Sequence, residues 1–199
     1  MKRKYEFRRR AERQEETRRR IVAAAVQLHQ TLGPARSTVS AIAELAGVQR
    51  HTFYRHFPEE LALFKACIQH YMAAHPLPDP EAWLETPDAI ERVRQGLSQA
   101  YGCYERDQAM MTNVLRDREV MGPPIGSGFL AHRQAMLEVL MKDWRASNSH
   151  RLALEAIIRL ALDFHTWKEL RAAGLGNQQA ADLMTRIVAC TAGRADPRP

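Results

Sequence analysis

A chain of 199 residues can bury a substantial core in one large or two small domains, and two unequal helical parts fit its patterning best. Its formal charge of +6 is unevenly placed, because residues 1–56 hold thirteen Lys and Arg against five Asp and Glu, while residues 57–199 hold sixteen against eighteen. No apolar run approaches the roughly 20 residues that span a bilayer, and the arginine-rich start lacks the apolar centre of a secretory signal, so no membrane partner and a cytoplasmic location are expected.

The first twenty residues carry ten Lys and Arg and little that can be buried, as befits an arm leading into a helix. Contact with phosphates or a minor groove is one reading of this arm, and a solvated tail is the other. Across residues 15–32 the apolar side chains Ile21, Ala25, Leu28 and Leu32 recur at helical spacing, and Gly33-Pro34 ends the pattern. A basic end on a near-neutral body is the electrostatic footprint of a polyanion partner, with affinity that falls as salt rises.

Residues 37–57, STVSAIAELAGVQRHTFYRHF, read as two short helices around a glycine turn. Val39, Ile42, Ala43 and Ala46 make one face of the first, and Gly47 can adopt the positive φ that ends it. The second helix, roughly residues 49–56, buries Phe53 and Phe57 and leaves Gln49, Arg50, Thr52, Tyr54, Arg55 and His56 largely free. These groups suit phosphates and base edges.

TVSAIAELAGV followed by TFYRHF closely resembles the DNA-binding signature of the tetracycline-repressor (TetR) family over about a quarter of the chain. The resemblance implies an all-α protein, with a three-helix DNA-binding head followed by a helical ligand-binding and dimerisation domain. It also implies that Thr38 caps the second helix and reaches a phosphate, that Tyr54 and His56 bind the backbone, and that Gln49, Arg50, His51 and Thr52 face the bases. Two positions depart from the family pattern. His51 stands where glycine is frequent, and Glu60 stands where a lysine often approaches a phosphate.

After Pro58 a helix is expected over residues 59–74, with Leu61, Phe64, Ile68 and Tyr71 on one face, before the prolines at 76, 78 and 80. Residues 1–57 then form the DNA-binding domain and residues 58–199 the effector-binding and dimerisation domain, with 58–75 as a connecting helix that also has the position of a lever. Cys67 and His70 lie three apart, but no second pair completes a metal site, so no metal or cofactor is expected; the three separated cysteines read as small buried hydrophobes.

Further helices are expected over 87–106, 107–120 and 128–145, the last two divided by Gly122-Pro123-Pro124-Ile125-Gly126. Taken singly their large apolar side chains read as plain core, and together they could line a small-molecule effector pocket, for which Tyr101, Tyr104, Met111, Phe129 and Trp144 are candidates. Residues 149–172 read as one helix that is apolar nearly all round and so must be buried on two sides. With a last helix from about residue 177, it resembles the TetR-family dimer interface, which points to Ile157, Ala161, His165, Leu183 and Ile187.

The leading expectation is therefore a homodimeric DNA-binding transcriptional regulator, a repressor released from a palindromic double-stranded DNA operator by a small molecule. The alternative is a DNA-binding protein whose C-terminal domain takes a protein partner. No catalytic arrangement is recognisable, although Asp163 and His165 lie in the apolar segment.

Overall fold

The computed structural model describes residues 2–122, 125–144 and 148–194. Among them are ten α-helices and no strand: α1 (Lys2–Thr31), α2 (Val39–Leu45), α3 (Arg50–His56), α4 (Glu60–Ala74), α5 (Ala89–Arg106), α6 (Gln108–Met121), α7 (Ser127–Leu140), α8 (Asn148–Ala161), α9 (Phe164–Ala172) and α10 (Asn177–Thr191). The all-α architecture is as the sequence indicates. Two compact units divide the chain, residues 1–76 with 109–125 and residues 77–108 with 126–199. Pro123, Pro124 and Arg145, which the sequence reading places in a loop and at a helix end, lie outside the described residues.

In the first unit α1 packs on α2 and α4. Ile21, Val22 and Ala25 of α1 meet Ile42 and Ala43 of α2, Phe53 of α3, Phe57, and Leu63, Cys67 and Tyr71 of α4 in one apolar cluster. Each large side chain buried there contributes about 1.5–3 kcal/mol. Two expected stripes are shifted. Leu32 is exposed, because α1 ends at Thr31 and the chain turns at Gly33, where φ is +95°. On α4 the buried face carries Leu63, Ala66, Cys67 and Tyr71, whereas Leu61 and Ile68 are exposed; the apolar arc of this helix is wider than the face its neighbours cover. Cys67 is thus inside and His70 outside, pointing to different surroundings. Burial pushes the Cys67 thiol up to about 12, against the pull of the Arg18 charge. Cys103 is half-buried and Cys190 exposed, so only Cys67 behaves as a buried hydrophobe.

In the second unit α5 packs against α10, α7 and α9, and α8 packs against α7, α9 and α10. The single helix expected over 149–172 is two helices. Asp163 interrupts it with extended backbone and caps α9, its Oδ1 accepting from the N–H groups of His165 (2.8 Å) and Thr166 (3.3 Å). The carbonyls left open at the end of α8 are taken by two tyrosines. Tyr101 Oη donates to the Ala161 carbonyl at 2.9 Å, and Tyr104 Oη donates to the Leu162 carbonyl at 2.8 Å. Helix α7 stops at Leu140, short of the expected residue 145, and the chain turns through Asp143 at φ +65°. The buried Arg92 guanidinium holds that turn, pairing with Asp143 at 2.9 Å and donating to the Lys142 carbonyl at 3.2 Å.

Candidate nucleic-acid interface

Helix α2 is capped by Thr38, whose Oγ1 accepts from the Ala41 N–H at 3.2 Å. An oxygen used in this way keeps its own hydrogen available for an outside acceptor. The helix ends in a tight turn: the Val48 N–H reaches back to the Ala43 carbonyl (2.9 Å), the Gly47 N–H reaches the Glu44 carbonyl (3.0 Å), and Gly47 sits at φ +63°. Arg20 locks this turn from α1. Its Nε donates to the Ala46 carbonyl at 3.1 Å and its Nη2 to the Gly47 carbonyl at 3.0 Å, and a Cβ at Gly47 would displace that guanidinium as well as strain the positive φ. Sequence alone groups Arg20 with the arm, because nothing local marks one arginine among eight as the partner of a turn 26 residues on.

The turn delivers α3. Gln49 precedes its first residue with extended backbone and makes no side-chain cap, while Arg50, His51, Tyr54 and Arg55 are exposed and Thr52 is half-buried. Thr52 Oγ1 lies 3.2 Å from His51 Nε2, a hydrogen bond that ties those two side chains together. Beneath them Phe53 and Phe57 fix the helix on the core, with ring centroids 6.1 Å apart and the exposed Tyr54 ring edge-on to Phe53 at 5.6 Å. Arg18 covers the Phe57 ring at 4.7 Å, a second arginine of the basic segment held by its own chain.

His56 differs from the sequence reading. It is half-buried, and its Nε2 is closed off without a hydrogen-bond partner. Burial, then the Arg55 and Arg18 charges, hold its pKa below the usual histidine value, so the ring is neutral at neutral pH.

This arrangement of an anchored short helix, a glycine-ended partner and an exposed row of hydrogen-bonding side chains has a counterpart in sequence. Residues 21–67 match the family model of bacterial regulatory proteins of the tetR family. This segment of the chain is thus similar to the DNA-binding part of the tetR family. A solved TetR-like transcriptional regulator from Rhodococcus sp. RHA1 shares the fold at 17% identity and a TM-score of 0.58, over 86% of this chain and 93% of that one. No curated protein matches the chain. The matched residues support a DNA-binding head of the kind used in transcription regulation.

Outside the head, the other candidate residues separate. Ala161 is 0% exposed within its own chain and presents no surface to a partner, whereas Ile157 and Leu183 are half-buried and His165 and Ile187 exposed. The break at Asp163 also divides the single helix on which sequence places Ala161 and His165 together. Leu160, at 51%, and Leu152, at 74%, are the exposed large apolar residues of α8 that the all-round apolar pattern hides. Of the effector-pocket candidates, Tyr104 lies against Tyr101 (6.0 Å between centroids) and Phe129 (6.1 Å), joined by Phe164 and Trp167, which sequence reading does not select. Met111 belongs to the first unit instead, and Trp144 lies beyond the end of α7, its Nε1 donating to the Leu140 carbonyl. Among the described residues no helix is long and apolar enough to cross a membrane.

Proposed function

We propose that this TetR-family regulator binds a twofold-symmetric operator as a homodimer and represses transcription until a small, largely apolar effector binds its C-terminal helices. Residues 1–57 serve as the DNA-reading part and residues 58–199 as the effector-binding and dimerisation part, with 58–75 between them. The observation that carries the reading is the exposed face of α3, where Gln49, Arg50, His51, Thr52, Tyr54 and Arg55 are presented above the buried Phe53 and Phe57. Side chains fixed in this way on a rigid helix suit a major groove.

Twofold symmetry of the operator requires a twofold protein, and α8 with α10 supplies an apolar outer surface through Leu152, Leu160 and Ile187. The aromatic group around Tyr104 supports an apolar effector. Such a protein works in the cytoplasm, beside its DNA. Titrating the purified protein into a duplex recovered by selection from random sequence tests the proposal. Saturable binding by two chains per duplex supports it, and equal affinity for selected and random duplexes contradicts it.

A further inference from the structure

The basic start of the chain is a continuation of α1, which runs unbroken from Lys2 to Thr31. Among the described side chains of that helix the first fully buried one is Ile21, and every residue from 5 to 16 is exposed. About four turns of helix thus extend beyond the core of the head. Side chains there interact with near neighbours: Arg8 with Glu12 at 2.9 Å, Arg19 with Glu16 at 3.3 Å, and Arg9 over the Tyr5 ring at 5.6 Å. A solvated helix of this composition is not stabilised by its own packing. A polyanion partner relieves that deficit by pairing with its arginines.

Direction follows from spacing. Positions 9, 13 and 20 are four and seven apart, so they share one stripe of α1 within about 40° of arc. Arg20, the inner member, grips the Ala46 and Gly47 carbonyls, the turn that immediately precedes Gln49 and Arg50. Arg13 and Arg9 therefore leave the head on the side of that turn, about 10 Å and about 16 Å further along the helix axis.

We propose that this projecting helix is a second DNA-binding element, whose Arg9 and Arg13 contact phosphates of duplex flanking the bases read by α3. The inference rests on the DNA-binding reading above. A membrane surface is the weaker match, because Tyr5 and Phe7, both exposed, are two residues apart and point to opposite sides of the helix, leaving no apolar face to insert. Duplex DNA needs no such face, only cations at a repeated spacing.

The test compares wild-type full-length protein with Arg9→Gln/Arg13→Gln, and with Arg8→Gln, whose side chain lies off the stripe and pairs with Glu12. Two probes are needed: the selected duplex trimmed to its symmetric core, and the same core with ten added base pairs on each side. The wild type should bind the flanked duplex more tightly and gain helical circular dichroism on it. The double variant should lose that gain, and its slope of log affinity against log salt should fall by about 1 for each phosphate it no longer neutralises, with base preference unchanged. Arg8→Gln should stay close to wild type. An unchanged slope and flank dependence in the double variant overturns the proposal, as does wild-type binding to phosphatidylserine vesicles in place of any response to flanking DNA. A wild type that binds no selected duplex at all contradicts the DNA-binding reading itself, a distinguishable result.

Discussion

The Asp117 carboxylate of α6 accepts a hydrogen bond from the Ala35 backbone N–H at 2.9 Å, across 82 residues of sequence. Around it Arg116 donates to the Leu32 carbonyl (2.9 Å), and Asn113 Nδ2 donates to the Gln30 carbonyl (2.7 Å), so one face of α6 satisfies the open end of α1. Burial raises the Asp117 pKa, but the Arg116 guanidinium and the Ala35 N–H outweigh it and hold the carboxyl below its usual range. Asp117→Ala should cost about 1 kcal/mol by removing the acceptor of the Ala35 N–H. Thermal denaturation of the variant reads the loss, and an unshifted midpoint counts against the contact.

Gly33 stands inside the same contact at φ +95°, where an added Cβ would collide with Arg116 Nη2 and Asp117 Oδ2. Gly33→Ala should therefore lower the melting temperature at least as much as Asp117→Ala, since it adds backbone strain to the displaced carboxylate. Equal stability to wild type would show that α6 can retreat without cost.

His29 supplies a pH dependence with a definite sign. Burial lowers its pKa from 6.5 to about 4, against the Asp117 charge that raises it. Between these values the unfolded chain binds a proton that the folded chain does not, so stability falls as pH drops from 6.5 toward 4 and is unaffected by this group above 6.5. The full effect is on the order of 3 kcal/mol. Urea titrations at pH 7 and pH 4.5 should show a smaller difference in His29→Gln than in wild type.

Much of the head is legible in sequence because its determinants are local. Gly47 marks a left-handed helix end, and Phe53 and Phe57 repeat at one helical turn. The face of α4 is not legible, since Leu61, Phe64 and Ile68 make as good a stripe as Leu63, Cys67 and Tyr71, and only packing on α1 chooses between them. Asp163 does leave a signal, a capping residue within an apolar run, but the apolar periodicity on either side conceals it. The roles of Tyr101 and Tyr104 depend on carbonyls about 60 residues away, beyond the reach of any spacing rule.

Those two hydroxyls are structural in this arrangement, and burial raises the pKa of both tyrosines far above the ordinary phenol value. Tyr104→Phe should cost about 1 kcal/mol, since it leaves the Leu162 carbonyl unpaired while keeping the ring. A variant that melts with the wild type would mean that water or another donor takes over that carbonyl.

The proposed dimer surface separates two adjacent positions. Leu160→Glu should yield a folded monomer, because it puts a carboxylate on the exposed apolar side of α8. Ala161→Glu should fail to fold, because it forces an unpaired carboxylate into a fully buried site at a cost of several kcal/mol. Sedimentation velocity with circular dichroism distinguishes these outcomes. A Leu160→Glu protein that remains a dimer places the interface elsewhere.

Sequence selection from a random duplex pool, run in parallel with wild type and Arg50→Ala, tests most directly whether α3 reads DNA. The wild type should enrich one near-palindromic sequence, and Arg50→Ala should lose preference at particular base pairs in each half-site, by about 1–3 kcal/mol per good base contact. No enrichment by the wild type, or an identical enriched sequence from Arg50→Ala with equal affinity, would contradict the assignment of α3 as the reading helix.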